Sequence, residues 1–381
     1  MIYKRDYKSF DFILAAFVLV LLVFGAIMVG SAEQINVRPP SRLFKMHLVW
    51  AATGFVIMLA VAWLDFEFIC RFFIVFYAVN LVLLVLVLLI GSNTNNTTRW
   101  LYLKDFGITG IEFGIQPSEF TKIFMIIYLA KFIDKFHERV NNILILGLIV
   151  LLAGIPIVLI TIQPSLSASL ATGMILITML FAAKVSWKYI IIAFVLLVPI
   201  ILFLYYDLNN DPQILLHRVL PYQQDRIRVW FDPTSDPDSW YQSQCSIDAI
   251  RSGQLTGRGL FNNIVYVPYS SNDFIFAIIG AEFGFVGCVV VLAMIFVVVL
   301  RCFIIAYRSE VFLGRLLAAG TGGMIAFQTF VHVCVATGTL PNTGITLPFI
   351  SSGGSSIWIT MAAVGLVLSV GMTRSKSMFE D

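Results

Sequence analysis

The sequence predicts an all-α protein that crosses a membrane about ten times and carries one long loop outside the membrane. Three observations support this: 59% of the 381 residues are hydrophobic, only 12% are charged, and the mean hydropathy is +0.91. Such a composition is typical of a polytopic membrane protein rather than of a soluble domain. The apolar stretches have the length of membrane helices, and the shorter alternating segments of an outer-membrane barrel are missing from the sequence pattern.

The apolar stretches give ten candidate spans, which together make the whole chain, 1–381, a single transmembrane domain. They lie near residues 11–31, 47–65, 68–91, 118–133, 142–162, 166–184, 187–206, 274–300, 312–337 and 347–372. The first is too long for a signal-peptide core, and the pattern continues after it, which predicts a true span. Between the seventh and eighth spans, residues 207–272 are far longer than a simple connection, and this favours an ordered, functional loop.

The basic residues indicate how the chain is oriented. Lys and Arg are about three times denser in the segments that include the two termini than in the alternate segments. We therefore expect both termini in the cytoplasm and an even number of spans. The net charge of +3 gives no indication of nucleic-acid binding. The five cysteines are scattered and form neither a disulfide framework nor a metal motif in the sequence.

The fourth span begins with "QPSEFTKIF", in which Glu119 and Lys122 are three residues apart. Side chains at that spacing share one face of a helix. Charged residues in membrane helices generally face the bundle interior or a wet cavity and pair with each other. Two interpretations stay open: a structural ion pair, or a pair that lines a polar substrate cavity.

Two acids mark the start of the eighth span, in "SSNDFIFAIIGAEFGFVG". Asp273 stands where a helix cap is favoured, and equally where a general base could lie at the membrane surface. Glu282 comes nine residues later, about 13 Å deeper on a helix and about half a turn away. The two acids therefore cannot form one catalytic pair, and we expect Glu282 to be buried with a structural partner.

Two further segments have unusual chemistry. The long loop places Arg226 in "DRIRVWFDP" and Arg258 in "TGRGL", where guanidinium groups could match phosphate oxygens or simply be solvated. The ninth and tenth spans are connected by "TGTLPNTGITLPFISSGGSSIW". Non-helical backbone at membrane depth must be buried in protein or line a wet cavity. This segment is predicted to be re-entrant, with a tight interhelical turn as the alternative.

Taken together, these motifs resemble the SEDS family, which contains the rod-shape, division and sporulation proteins of bacterial cell-wall synthesis. The resemblance covers essentially the whole chain and rests on "RWLYL", "IQPSEFTK", "DRIRVWFDPTSDP", "LTGRGL", "NDFIFAIIGAEFGFVG" and "TGTLPNTGITLPFISSGGSS". It implies ten transmembrane helices in the bacterial cytoplasmic (inner) membrane. It also implies peptidoglycan glycosyltransfer, in which lipid II is joined into glycan strands outside the membrane, with a class B penicillin-binding protein as partner.

The resemblance also implies roles for particular residues. The family's essential acid corresponds to Asp273, which would accept the proton of the attacking sugar hydroxyl. Its "QPSE…K" pair corresponds to Glu119 and Lys122, and its loop arginine to Arg226. The remaining candidates for substrate binding come from the other matched motifs: Arg99, Arg258, Ser351 and Ser355. Arginine or a divalent cation could offset the charge of the pyrophosphate leaving group, and no other cofactor is expected.

The chain departs from the family pattern at several positions around these motifs. Ser165 stands where the family has an acid, Ser271 and Asn272 precede Asp273, and Ser352 replaces a tyrosine. These departures motivate one alternative, a catalytically degenerate scaffold for a class B penicillin-binding protein. The charged pair in the fourth span motivates another, a flippase for lipid-linked precursor. Elongation, division and sporulation are all open as the process served.

Overall fold

Membrane-length helices make up most of the fold, as the composition predicts. The computed structural model describes residues 4–34, 39–94, 97–102, 114–189, 221–262 and 264–374, with isolated positions between 191 and 206. Within this part of the chain, seven helices are long and apolar enough to cross a membrane. The all-α prediction is confirmed. Apart from 187–189 and those isolated positions, the predicted seventh span, 187–206, lies outside the described residues, as do residues 207–220 of the long loop.

The first half of the chain follows the predicted order of spans with one difference. Its helices are α1 (Phe12–Ala32), α2 (Arg42–Trp63), α3 (Phe66–Arg71), α4 (Phe73–Ile90), α5 (Pro117–Lys135), α6 (Ile143–Ile162) and α7 (Leu166–Ala182), with 3-10 turns at Tyr7–Ser9 and His137–Arg139. The predicted span 68–91 is two helices, because the chain turns at Phe72. Asp11, Ser41 and Asn142 each accept a hydrogen bond from a backbone N–H of the helix they precede.

The second half contains two loop helices followed by three long spans. These are α8 (Pro221–Phe231), α9 (Pro237–Gly253), α10 (Ile275–Arg308), α11 (Phe312–Ala336) and α12 (Gly354–Gly371). Helix α12 begins later than the predicted 347, because residues 337–353 are non-helical. Much of this connection is buried against the bundle, as backbone at membrane depth requires.

Five short strands complete the described structure. Strand β1 (Lys4–Arg5) pairs antiparallel with β5 (Thr373–Arg374), which places the beginning of α1 and the end of α12 at the same face of the bundle. Strands β2 (Ser92–Thr94), β3 (Thr97–Tyr102) and β4 (Gly114–Ile115) form an antiparallel sheet in the order β2-β3-β4. This sheet connects α4 to α5 and carries the "RW" motif at the opposite face.

The centre of the bundle is formed by α11 and α12. In each of them 78% of the most apolar window is buried inside the protein, against 17% in α4, which faces outward. Helix α12 packs mainly on α2, and α11 packs on α10 and α7. An ion pair joins α10 to α1: the Arg301 guanidinium donates to the Asp11 carboxylate at 2.5 and 2.9 Å.

Helix α10 is interrupted at Gly284, whose φ of 62° places it in the left-handed region. Four backbone hydrogen bonds of 2.9–3.1 Å connect residues 254–259 to residues 281–286 across this break. A Cβ on Gly257, which has a φ of 80°, would collide with the carbonyl of Glu282. We call these two segments the glycine joint. It satisfies backbone groups that the interrupted helix leaves unpaired.

Candidate active site

A polar cavity of about 530 Å³ opens at the face of the bundle opposite the paired terminal strands. Its polar lining comes from β3, from α5 and α7 with the residue before each helix, from α8, α9, the segment before α10, α11, the connection 337–353 and α12: Arg99, Gln116, Glu119, Lys122, Ser165, Ser167, Arg226, Gln242, Tyr269, Asn272, Asp273, Gln328, Asn342, Thr346, Ser352, Ser355 and Ser356. Six of the eight candidate residues from the sequence therefore meet in one place. Arg258 and Ser351 lie outside this lining.

Asp273 lies in the cavity wall immediately before α10. The capping position of α10 is Phe274, without a side-chain hydrogen bond, so the interpretation of Asp273 as a helix cap is wrong. Within the described part of the chain, the half-buried Asp273 carboxylate accepts no hydrogen bond. A Cβ on Gly344 would lie 3.4 Å from Asp273 Oδ2, and the φ of 68° at Gly344 favours glycine. The connection 337–353 thus approaches the carboxylate closely.

The surroundings of Asp273 make its carboxyl a weaker acid than an aspartate in water. Burial raises the pKa of this carboxyl to about 6, while the charges of Arg226 and Arg99 act in the opposite direction. A carboxyl with such a pKa is largely ionised at neutral pH and remains basic enough to accept a proton from a reacting hydroxyl.

Glu119 and Lys122 form an ion pair at the beginning of α5, with 2.7 Å between Lys122 Nζ and Glu119 Oε2. The lysine side chain is 2% exposed and the glutamate 13%. Both residues line the cavity. The two interpretations from the sequence are therefore compatible, because the pair is a buried structural contact and also part of the cavity wall.

The three candidate arginines occupy different positions. Arg99 donates to the carbonyl of Pro164, and Arg226 donates to the carbonyl of Asn342. Both guanidinium groups act on the carboxyl of Asp273 and line the cavity. Arg258 is exposed on the glycine joint, where its Nε donates to the carbonyl of Ser252 at 3.0 Å. The structure does not bring Arg258 to Asp273.

The serines of "SSGGSS" divide into two groups. Ser351 Oγ donates to the carbonyl of Asn272 at 2.7 Å and accepts from the backbone N–H of Leu347 at 2.8 Å. Ser351 therefore fixes the backbone next to Asp273 instead of lining the cavity. Ser355 does line the cavity, near the backbone N–H of Gln116.

Glu282 lies away from the cavity, as its spacing from Asp273 predicts. It is 1% exposed, and Ser31 Oγ of α1 donates to its carboxylate. The prediction of a buried structural partner is confirmed. Because Glu282 belongs to the glycine joint, this contact ties α1 to the interrupted part of α10.

Sequence reasoning missed several side chains that shape the cavity. Gln328 on α11 is 1% exposed and lines the cavity, and His332, one turn later, contacts the carbonyl of Ile345 at 2.8 Å through Nδ1. Ser167 Oγ donates to the carbonyl of Thr343 at 2.9 Å. Gln328 and His332 are four residues apart in an apolar helix, and this spacing could have indicated a polar face toward the bundle interior.

Comparisons with known proteins agree with this architecture. A family model described as "Cell cycle protein", of the FtsW/RodA/SpoVE type, matches residues 11–376. The chain belongs to the SEDS family. It is 33% identical to the probable peptidoglycan glycosyltransferase FtsW of Trichlorobacter lovleyi, covering 95% of this chain and 93% of that one. It is 31% identical to the peptidoglycan glycosyltransferase MrdB of Escherichia coli, with coverage of 93% and 92%.

Solved structures show the same SEDS fold. One, from a peptidoglycan synthase complex that coordinates polymerization and crosslinking, has a TM-score of 0.79 at 26% identity over 96% of this chain and 98% of that one. The rod shape determining protein RodA of Thermus thermophilus has a TM-score of 0.68 at 24% identity, covering 98% and 99%. The predicted family, and with it an enzyme of peptidoglycan glycosyltransfer in the inner membrane, is confirmed.

Proposed function

We propose that this chain polymerises lipid II in the cavity at the outer face of the cytoplasmic membrane, with Asp273 as general base. The observation that carries the proposal is the state of Asp273. Its carboxylate faces a polar cavity, has a pKa raised to about 6 and accepts no hydrogen bond from the described residues. A buried acid of this kind in a cleft is typical of a catalytic group.

The first part of the reaction is the attack of a sugar hydroxyl on the anomeric carbon of the lipid-linked donor. As the new glycosidic bond forms, the hydroxyl proton passes to the Asp273 carboxylate. The carboxylate lies in the wall of the cavity, where the hydroxyl would bind.

The second part is the departure of the polyprenyl pyrophosphate as the bond to the anomeric carbon breaks. The leaving group takes the bonding electron pair and needs positive charge rather than a proton. Arg226 and Arg99 supply that charge, and Lys122, which also lines the cavity, contributes with Glu119 as its counter-ion. Guanidinium groups suit phosphate oxygens because of their planar fork of donors.

The described residues offer little to a divalent cation. No group of three or more His, Cys, Asp or Glu side chains in this part of the chain is arranged to hold a metal ion. Among the described residues, the carboxylates of the cavity lining are Asp273 and Glu119, and Glu119 is paired with Lys122. In this proposal the arginines that line the cavity supply positive charge to the leaving group.

In the proposed orientation, both termini lie in the cytoplasm and the cavity opens at the outer face of the membrane. The pairing of β1 with β5 supports an even number of crossings, and the basic residues support cytoplasmic termini. A Ser239→Cys substitution on α9 should react with a membrane-impermeant maleimide in intact cells, whereas Lys8→Cys should react only after permeabilisation. The reverse labelling pattern would contradict this orientation.

The class of partner is a class B penicillin-binding protein that crosslinks the strands made here. The supporting observation is the match to a chain from a synthase complex that coordinates both activities. Elongation, division and sporulation share this chemistry, and the proposal applies to each of them.

The direct test is polymerisation of labelled lipid II by the purified chain, alone and with its cognate penicillin-binding protein. We expect glycan strands from the wild type and a more than hundredfold smaller yield from Asp273→Asn. A correctly folded wild type that binds its partner without making strands would favour the scaffold alternative. Movement of lipid II across vesicles that persists in Asp273→Asn would favour the flippase alternative.

A further inference from the structure

A second pocket, of about 240 Å³, lies between α8 and α9. Its walls include two indole rings, those of Trp230 and Trp240. Three of its lining residues, Arg226, Gln242 and Asn342, also line the cavity of Asp273. The two spaces therefore lie side by side and share the wall formed by these three residues.

Both indoles are fixed by hydrogen bonds of their N–H groups. Trp230 Nε1 donates to the carbonyl of Gly338 at 2.9 Å, and Trp240 Nε1 donates to Gln244 Oε1 at 3.2 Å. With the polar end of each ring engaged in this way, its apolar faces remain available for packing. The pocket thus has rigid apolar surfaces on a loop that extends beyond the membrane spans.

Several polar groups of the pocket keep hydrogen-bonding capacity. Ser243 is buried, yet its hydroxyl makes no hydrogen bond with the described residues, and the same is true of the Asp225 carboxylate. Gln242 accepts from Asn342 Nδ2 at 3.2 Å, which leaves its own amide N–H groups without a partner in this part of the chain. Hydroxyl, carboxylate and amide groups together can both donate and accept.

We propose that this pocket is a saccharide subsite, which holds a sugar of the glycan strand next to the reacting pair. A pyranose ring has an apolar C–H face that packs on an indole and a rim of hydroxyl and N-acetyl groups that need hydrogen bonds. The volume of about 240 Å³ lies below that of pockets for drug-sized ligands, about 300–1,000 Å³, and suits a single sugar. This inference rests on the proposed function and adds a binding site to it.

The charges of the pocket favour a neutral glycan over the peptide of lipid II. Asp225 would repel peptide carboxylates, and Arg226, the one Lys or Arg among the described residues that line the pocket, already donates to the carbonyl of Asn342. Hydroxyl and N-acetyl groups carry no charge and can use Ser243 and Gln242. The subsite therefore distinguishes strands by their sugars.

The consequence for the reaction concerns strand length. Joining two lipid II molecules needs only the reacting sugars in the cavity, whereas a longer strand gains contact with the subsite. Loss of the subsite should shorten the strands while the first coupling proceeds at its normal rate. Substitution of a residue that acts on the reacting atoms would instead slow the first coupling as well.

The test compares three variants of the full chain in detergent, purified with the partner. Trp240→Ala removes one indole wall, Trp240→Phe keeps an aromatic face, and Tyr241→Ala deletes a neighbouring exposed aromatic that lies outside the pocket lining. The probe is a neutral β-1,4-linked oligomer of N-acetylglucosamine, and calorimetry measures its binding. We expect binding about tenfold weaker for Trp240→Ala, within about threefold of wild type for Trp240→Phe, and unchanged for Tyr241→Ala.

Polymerisation assays on the same proteins should give shorter strands for Trp240→Ala at an unchanged rate of the first coupling. Wild-type binding of the oligomer by a folded Trp240→Ala protein would overturn the inference, as would binding of the free peptide in place of the glycan. If the proposed function is wrong but the subsite exists, the wild type makes no strands and still binds the oligomer in a Trp240-dependent manner.

Discussion

The cavity around Asp273 and the glycine joint around Glu282 lie nine residues apart at one end of α10, and their acids have opposite environments. Glu282 is 1% exposed and accepts a hydrogen bond from Ser31. It lies in the glycine joint, which is connected by backbone hydrogen bonds. Asp273 is half-buried, accepts no hydrogen bond from the described residues and faces a cavity. Burial with a partner makes an acid structural, whereas burial beside an open cavity makes it reactive.

The largest effect should come from replacing the acid of the cavity. Asp273→Asn keeps the shape of the side chain and removes the proton acceptor, so lipid II polymerisation should fall by about 10²–10⁴-fold. The melting temperature should stay close to that of the wild type, because no hydrogen bond within the described structure is lost. Strand synthesis at the wild-type rate would remove Asp273 from the mechanism.

The next effect concerns the cations that face Asp273. Arg226→Lys keeps the charge and loses the planar fork, which donates to the carbonyl of Asn342 and, in the proposed reaction, to a phosphate of the leaving group. We expect polymerisation to fall about tenfold. Arg228→Lys, on the exposed side of the same helix, is the matched control and should behave like the wild type. Wild-type polymerisation by Arg226→Lys would show that only the positive charge at this position matters, and equal losses in both variants would show that the effect is not specific to the cavity.

A change in the glycine joint should act on stability. Gly257→Ala introduces a Cβ at a φ of 80°, against the carbonyl of Glu282, and should destabilise the fold by about 1–3 kcal/mol. Gly173→Ala, whose Cβ meets nothing within 4 Å, is the control and should be tolerated. Thermal unfolding in detergent measures both. An unchanged melting temperature for Gly257→Ala would contradict the tight packing of the joint.

The smallest effect should come from the second acid. Glu282→Gln retains an oxygen that accepts from Ser31, so polymerisation should stay within about twofold of wild type and stability should change by about 1 kcal/mol or less. The same lipid II assay checks it. A loss as large as that of Asp273→Asn would mean that the two acids have been assigned the wrong way round.

Much of the fold was predictable from local pattern. Apolar stretches marked the long spans, and spacing along a helix separated Asp273 from Glu282 and placed Glu119 beside Lys122. These features depend on residues that are close in sequence, where the geometry of a helix fixes the relation between side chains. Family motifs added the expectation that distant segments meet.

The remainder depends on contacts between residues far apart in the chain. Arg258 belongs to a family motif, yet the backbone around it is hydrogen-bonded to the interrupted part of α10. Its side chain donates to the carbonyl of Ser252 and lies outside the cavity. Ser351 is similarly occupied by the carbonyl of Asn272. Such partners follow from the packed arrangement of several helices, which spacing within one segment does not encode.

The central claim is that Asp273 acts as the general base, and the pH dependence of the polymerisation rate tests it most directly. Only the ionised carboxylate accepts a proton, and burial raises the pKa from 3.8 to about 6. The wild-type rate should therefore be high at neutral pH and fall as the pH decreases through about 6, and the residual rate of Asp273→Asn should lack this step. A wild-type rate that stays constant down to about pH 4, or an identical step in Asp273→Asn, would contradict the assignment.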